Sequence, residues 1–216
     1  IIIPEDSCDV LHHDNFLYFD ANTISNNAGG AVLVQSHQVI LQASTITNNA
    51  RGVKVDTRED SSNLAGLESR FVTIADNTEY GIRIESADSI GSNGSIIANN
   101  GTDCILLGDQ TISGEGNVFS DNSCGTPAFT RNVSGVDPLL APLADNGNGV
   151  PTRMLLPGSP AVDYAGGQCL DQRFFTRNFA LVCDSGAVQQ DAPTAAFAPY
   201  VDPAFTLKGN NVSAVN

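Results

Sequence analysis

Lys54 and Arg83 are each followed two positions later by an acid, Asp56 and Glu85, and Glu59 and Asp60 come shortly after the first pair. Side chains of these types could act on polysaccharide in two ways. Paired carboxylates at a suitable separation hydrolyse a glycosidic bond, and a basic residue beside calcium and its acidic ligands serves a lyase. Neighbouring opposite charges explain the same set as ion pairs. The chain has no Trp and no row of exposed aromatics on which a sugar ring would stack, so the balance lies against catalysis. A second set, Cys8, His12, His13 and Asp14, could hold a transition metal, but Cys-x3-His-His is a loose spacing near a chain end and polar surface is the better reading. No metal is therefore expected, with calcium the one cofactor that the acidic surface admits.

The elements that carry these residues come from a repeat. Ala21–Asn27, Ala43–Asn49, Phe71–Asn77, Gly94–Asn100 and Gly116–Asn122 share one pattern, and its last Asn recurs at intervals of 22 to 28 residues. Such a period means a solenoid whose units bury their apolar faces only against one another. Read as a strand, each unit sends Ile24, Ile46, Ile74, Ile97 and Phe119 inward and Thr23, Thr45, Thr73, Ile96 and Val118 the other way. The Asn27, Asn49, Asn77, Asn100 and Asn122 column falls where the strand must bend, and reads as an asparagine ladder that also takes the left-handed backbone of the turn.

A second strand follows each turn. In it Val32, Val53, Ile82 and Ile105, with Val34, Val55, Ile84 and Leu107, alternate with outward Leu33, Lys54, Arg83 and Leu106. Two strands per coil and no room for a helix predict an all-β, right-handed parallel β-helix of about five coils over 1–126. The polar insert Asp56–Asn63 should loop out sideways.

A net charge of −14, from 24 acidic and 10 basic residues, argues against nucleic acid as a partner. No apolar run is long enough to span a membrane, and no charged-then-apolar leader precedes Ile1, as expected if a signal has been removed or the chain is cut from something longer. Five Cys suggest an oxidising compartment. Cys104 with Cys124 would close a loop of about 20 residues and Cys169 with Cys183 one of about 14, each stabilising by about 3 kcal/mol. Five buried free thiols are the alternative, and pairing in this way leaves Cys8 over, free, paired to a missing segment or available to another chain.

After Cys124 the period stops. Asp137-Pro138-Leu139-Leu140, Leu143-Ala144-Asp145-Asn146-Gly147, Leu155-Leu156-Pro157-Gly158-Ser159-Pro160-Ala161-Val162-Asp163, Asp171-Gln172-Arg173 and Cys183-Asp184-Ser185-Gly186-Ala187-Val188 follow in order. This string resembles the choice-of-anchor Q domain of secreted bacterial right-handed β-helix proteins, closely from Asp137 to about Gln189. The chain departs from that family at Asn146–Thr152, where an Asn-Gly-Gly-Pro-Thr run is usual, at Arg173-Phe174, where Arg-Gly follows Asp-Gln, and at Gly186–Gln189, where Gly-Ala-Phe-Glu is typical.

Physical reasoning assigns 127–190 the same task from another side. An open coil end exposes apolar interior and unpaired backbone, so a rigid, irregular, disulfide-bonded cap is expected there. Within it Asp163, Asp171, Arg173 and Asp184 could form a cluster that fixes the loops. The remaining 191–216 hold Pro193, Pro199 and Pro203 among Phe197, Tyr200, Val201, Phe205 and Leu207, which suits a linker or an intersubunit strand but no continuous helix.

The expected function is that of a non-catalytic extracellular or cell-surface structural or adhesive protein, with a polysaccharide-active enzyme or carbohydrate-binding module as the alternative. Ile1-Ile2-Ile3 begins the chain with no evident cap, so a head-to-tail filament joined through that end and the 191–216 tail is one expected assembly. Other surface proteins or glycans are the other partners considered. Asn93, Asn100, Asn132 and Asn211 begin Asn-x-Ser/Thr sequons, which matter only in a glycosylating host.

Overall fold

The computed structural model describes residues 16–35, 38–56, 65–87, 89–125, 131–147, 149–175 and 182–190. Each of the first four coils holds three strands. The first coil has β1 (Phe16–Asp20), β2 (Thr23–Ser25) and β3 (Gly30–Val34), and the second has β4 (Gln38–Gln42), β5 (Thr45–Thr47) and β6 (Arg51–Asp56). The third has β7 (Gly66–Arg70), β8 (Thr73–Ala75) and β9 (Tyr80–Ser86), and the fourth has β10 (Ser89–Asn93), β11 (Ile96–Ala98) and β12 (Cys104–Leu106). The fifth contributes β13 (Val118–Phe119), after which β14 (Ala144–Asp145) and β15 (Pro151–Thr152) form a short antiparallel pair.

Three parallel sheets result. The first runs β1-β4-β7-β10, the middle one β2-β5-β8-β11-β13 and the third β3-β6-β9-β12. The sequence pattern reveals two strands per coil rather than three. The first sheet escapes it because one inward column, Phe19, Leu41, Ser69 and Ser92, turns polar halfway, so the alternation fades. There Ser69 Oγ donates to Ser92 Oγ (2.8 Å), which keeps the buried hydroxyls paired.

Ile24, Ile46, Ile74, Ile97 and Phe119 are register partners and pack along one interior cluster with Val32, Val53, Ile82 and Leu67. Burying each such side chain contributes roughly 1.5–3 kcal/mol, offset by the entropy of ordering the coil.

Asparagines fix one corner. The Asn27 amide N and Nδ2 both donate to Asn49 Oδ1 (3.0 and 2.8 Å), Asn49 repeats this to Asn77 (3.1 and 3.0 Å), and Asn77 to Asn100 (3.0 and 2.9 Å). The second Nδ2 proton turns back, from Asn49 to Ile24 O and from Asn77 to Ile46 O, so one side chain ties three coils. Asn122 is a correction to the expected column. It is exposed, and Asp103 Oδ1 accepts the two donors of Asn100 in its place (3.3 and 3.0 Å). The left-handed backbone also sits one residue earlier than expected, at Asn26, Asn48, Asp76 and Asn99 (φ 55 to 59°).

The fourth coil corrects the expected facing of three more residues. Cys104 pairs with Ile82, Ile105 with Arg83 and Leu106 with Ile84, so Leu106 packs inward and Ile105 points out. The turn sets this register, since Cys104 follows its ladder Asn by four residues, as Val53 does in coil two, whereas Val32 and Ile82 follow theirs by five, and the Cys104–Cys124 disulfide (Cα–Cα 4.8 Å) then lies in the core. Leu107, expected inside, is exposed.

The C-terminal module covers the solenoid from its flank. Residues 131–133 first add a bridge to β13, and the chain then lies over the outer face of the middle sheet, where Leu155 and Ala161 pack on Ile96, Ala98 and Val118. An end cap is what the sequence suggests. The flank is the favoured place because Ile96 and Val118 make that face apolar where a bare sheet would meet water.

Replacing Asn77 by Ala strands two donors of Asn49 and the Ile46 carbonyl, each worth about 1–3 kcal/mol when left unpaired, while Asn100 Oδ1 keeps the backbone amide of residue 77. We expect Asn77→Ala to cost more than about 3 kcal/mol and Asn122→Ala less than about 0.5 kcal/mol, read from urea unfolding midpoints.

Candidate functional site

The third sheet brings the candidate charges together. Lys54 and Arg83 are register partners in an outward row that begins at Leu33 and ends at Ile105. Alternation along β6 and β9 puts Asp56 and Glu85 on the same face, with an irregularity between Val55 and Asp56 that offsets them. Lys54 Nζ lies 3.0 Å from Asp56 Oδ2 and 2.8 Å from Glu85 Oε2, while Arg83 reaches Glu85 Oε1 at 2.7 Å. Glu85 therefore bridges two cations. Glu59 and Asp60 lie outside the described residues.

Lys54, chiefly through its hydrogen bond to Glu85, is held above the ordinary lysine value, and Glu85, chiefly through the same bond, is held below the ordinary carboxyl value. A glycosidase acid needs a carboxyl raised toward neutrality, and a lysine base needs its pKa depressed. Both shifts run the other way. The row is an ion-pair network on a half-exposed sheet face, continued at its edge by Arg51 and Glu79 (2.9 Å).

One buried acid site, in the repeat, was not among those expected from the pattern. Asp103 is fully buried and accepts five hydrogen bonds, two from Asn100 on Oδ1 and three on Oδ2, from Ser120 N (2.8 Å), Ser120 Oγ (2.7 Å) and Asp121 N (3.0 Å). Burial raises its pKa despite those donors. At Asp121 burial opposes the charge as well, but donors from Ser123 and the Asp103 amide outweigh it and the carboxyl falls below its usual value. The legible signal was an Asp three residues after a ladder Asn, followed at once by Cys104.

The second acid site lies in the module and includes three of the four residues expected to cluster. Arg173 pairs with Asp171 through Nη2 (2.6 Å) and Nε (3.0 Å), donates to Gln189 O (2.8 Å) and lies 4.6 Å over the Phe175 ring. Asp184 accepts from the Asp163 and Gln190 amides (2.8 and 2.5 Å), whereas Asp163 itself is exposed. The Cys169–Cys183 disulfide (Cα–Cα 5.2 Å) closes the same region. All these groups are turned toward one another and tie loops together.

Ile1–Ile3, Cys8, His12, His13, Asp14, Asn211 and the 191–216 tail lie outside the described residues. Among the described residues no three His, Cys, Asp or Glu converge to hold a metal. No described helix is long and apolar enough to cross a membrane. Asn93, Asn100 and Asn132 each spend their side chains on neighbouring coils or turns, on Glu68, on Asp103 and the ladder, and on Asn117.

Three in-register parallel sheets around one apolar axis define a parallel β-helix. The model of the family described as the right handed beta helix region matches residues 10–119, just over half of the chain, and the chain belongs to that family. No curated protein and no solved structure matches it.

Because Glu85 is held below its ordinary value of 4.5, it stabilises the fold above that pH, and the contribution is lost as pH falls through its folded value. We expect Glu85→Gln to cost less than about 1 kcal/mol at pH about 7, with the difference from the parent shrinking as pH is lowered below 4.5, read from urea midpoints.

Proposed function

We propose that the chain is a non-catalytic structural or adhesive protein of the cell exterior, in which the β-helix is a stiff spacer. The carrying observation is the row Lys54, Asp56, Arg83 and Glu85, whose opposite charges pair with one another and in which Lys54 is held above and Glu85 below its ordinary value, opposite to what a lysine base or a glycosidase acid needs. Two disulfides suit an oxidising compartment, and the resemblance of Asp137–Gln189 to the choice-of-anchor Q domain supports a secreted bacterial origin.

The rival is a polysaccharide-related role, for which the family itself is the warrant. Incubating the purified chain with acidic and neutral glycans, with and without calcium, separates the two. We expect no new reducing ends and no unsaturated products. Turnover that disappears in Lys54→Met would overturn the spacer reading, as would retention on a glycan array that the same substitution abolishes.

A further inference from the structure

We infer that the C-terminal module is a longitudinal strap that makes the five coils open as one unit. Solenoids are quasi-one-dimensional, because each repeat touches only its neighbours, and terminal repeats therefore open first. The module breaks that rule by touching every coil. In coil one, Thr23 Oγ1 donates to Pro151 O (2.5 Å) and accepts from Gln172 Nε2 (2.7 Å). In coil two, Thr45 Oγ1 donates to Gln172 Oε1 (2.6 Å), and Arg153 reaches Thr47 Oγ1 (3.3 Å).

In coil three, Arg153 pairs with Asp76, and the Ala187 amide donates to Thr73 Oγ1 (3.0 Å). In coil four the Gly186 amide donates to Gly94 O (2.7 Å), and in coil five Ser185 Oγ donates to Gly116 O (2.6 Å). The strap is itself one piece. The Gln172 amide donates to Ala187 O (2.8 Å), and Asp171, Arg173 and Gln189 lock the same two runs together. Since residues 131–133 stack on the fifth coil and lead into the module, coil one is tied to coil five both along the stack and across it.

Freeing the first coil thus requires breaking strap contacts as well as one coil interface. The consequence for a rod pulled along its axis is resistance to peeling from that end. The inference stands whether or not the chain serves as a spacer.

Native-state hydrogen exchange on the whole chain tests it. The Asn22 and Asn27 amides, bonded to Ser44 and Asn49, report on coil one, and the Ser95 and Ile96 amides, bonded to Asn117 and Val72, on coil four. In the parent protein the two sets should exchange within about tenfold of each other. Thr23→Val keeps the shape of the side chain but removes both strap bonds, and should speed coil one by about tenfold or more while coil four changes by less than about threefold. A parent in which coil one already exchanges about a hundredfold or more faster overturns the strap. So does a Thr23→Val variant that shifts both sets alike or neither.

Discussion

One carboxamide oxygen that accepts two protons from the coil before it sets the register of the whole stack. Asn49, Asn77 and Asn100 each receive a backbone and a side-chain proton in this way. A slip of one residue would break these pairs and turn the Ile24–Phe119 column out of the core. The ladder has a direction, since every rung offers its oxygen toward the preceding coil. It must end on a group that accepts and has nothing to donate, and Asp103 is such a group. Its carboxylate takes the last two donors on one oxygen and the turn at Ser120 and Asp121 on the other, at the desolvation cost that raises its pKa.

The outer face of the middle sheet shows why one column changes character along the stack. Thr23, Thr45 and Thr73 meet Gln172 and the Ala187 amide, so hydroxyls are required where the strap carries polar groups. Ile96 and Val118 meet Leu155 and Ala161, so the column turns aliphatic there. Gly186 lies between the two regimes. A Cβ at that position would stand 2.8 Å from Ile96 Cδ1 and 2.9 Å from Thr73 Oγ1, and the backbone has φ 97°, so both contact and conformation demand glycine.

The repeat made the solenoid, its inward Ile column and the facing of Lys54 and Arg83 legible, because stacking imposes a fixed spacing on buried groups. What it hid were features without a period. The first sheet was lost where Leu41 gives way to Ser69 and Ser92, the fourth coil's facing was hidden by a turn whose length varies by one residue between coils, and Asn122 keeps the motif while its coil has left the ladder. The Lys54 row could be read as a cluster of opposite charges, but not as one whose acid is pinned ionised, since that depends on Glu85 lying between two cations from different coils.

Departures from a repeat then carry more information than its consensus. Phe71 stands where the other coils have Ala or Gly, and its ring packs with Ala165 and Cys183 of the module. The small residues Gly94 and Gly116 next in that column leave Ala165 its seat, with Cβ positions only 3.1 to 3.4 Å from its methyl. Asp76 stands where the left-handed corners of coils one, two and four have Asn, and it is the partner of Arg153, a guanidinium whose burial lowers its pKa. Asn at that corner would satisfy the backbone equally well but leave a buried cation without its counter-charge, a loss of several kcal/mol by the usual cost of breaking such a pair. Each exception is explained by what docks on it, and none needs a substrate.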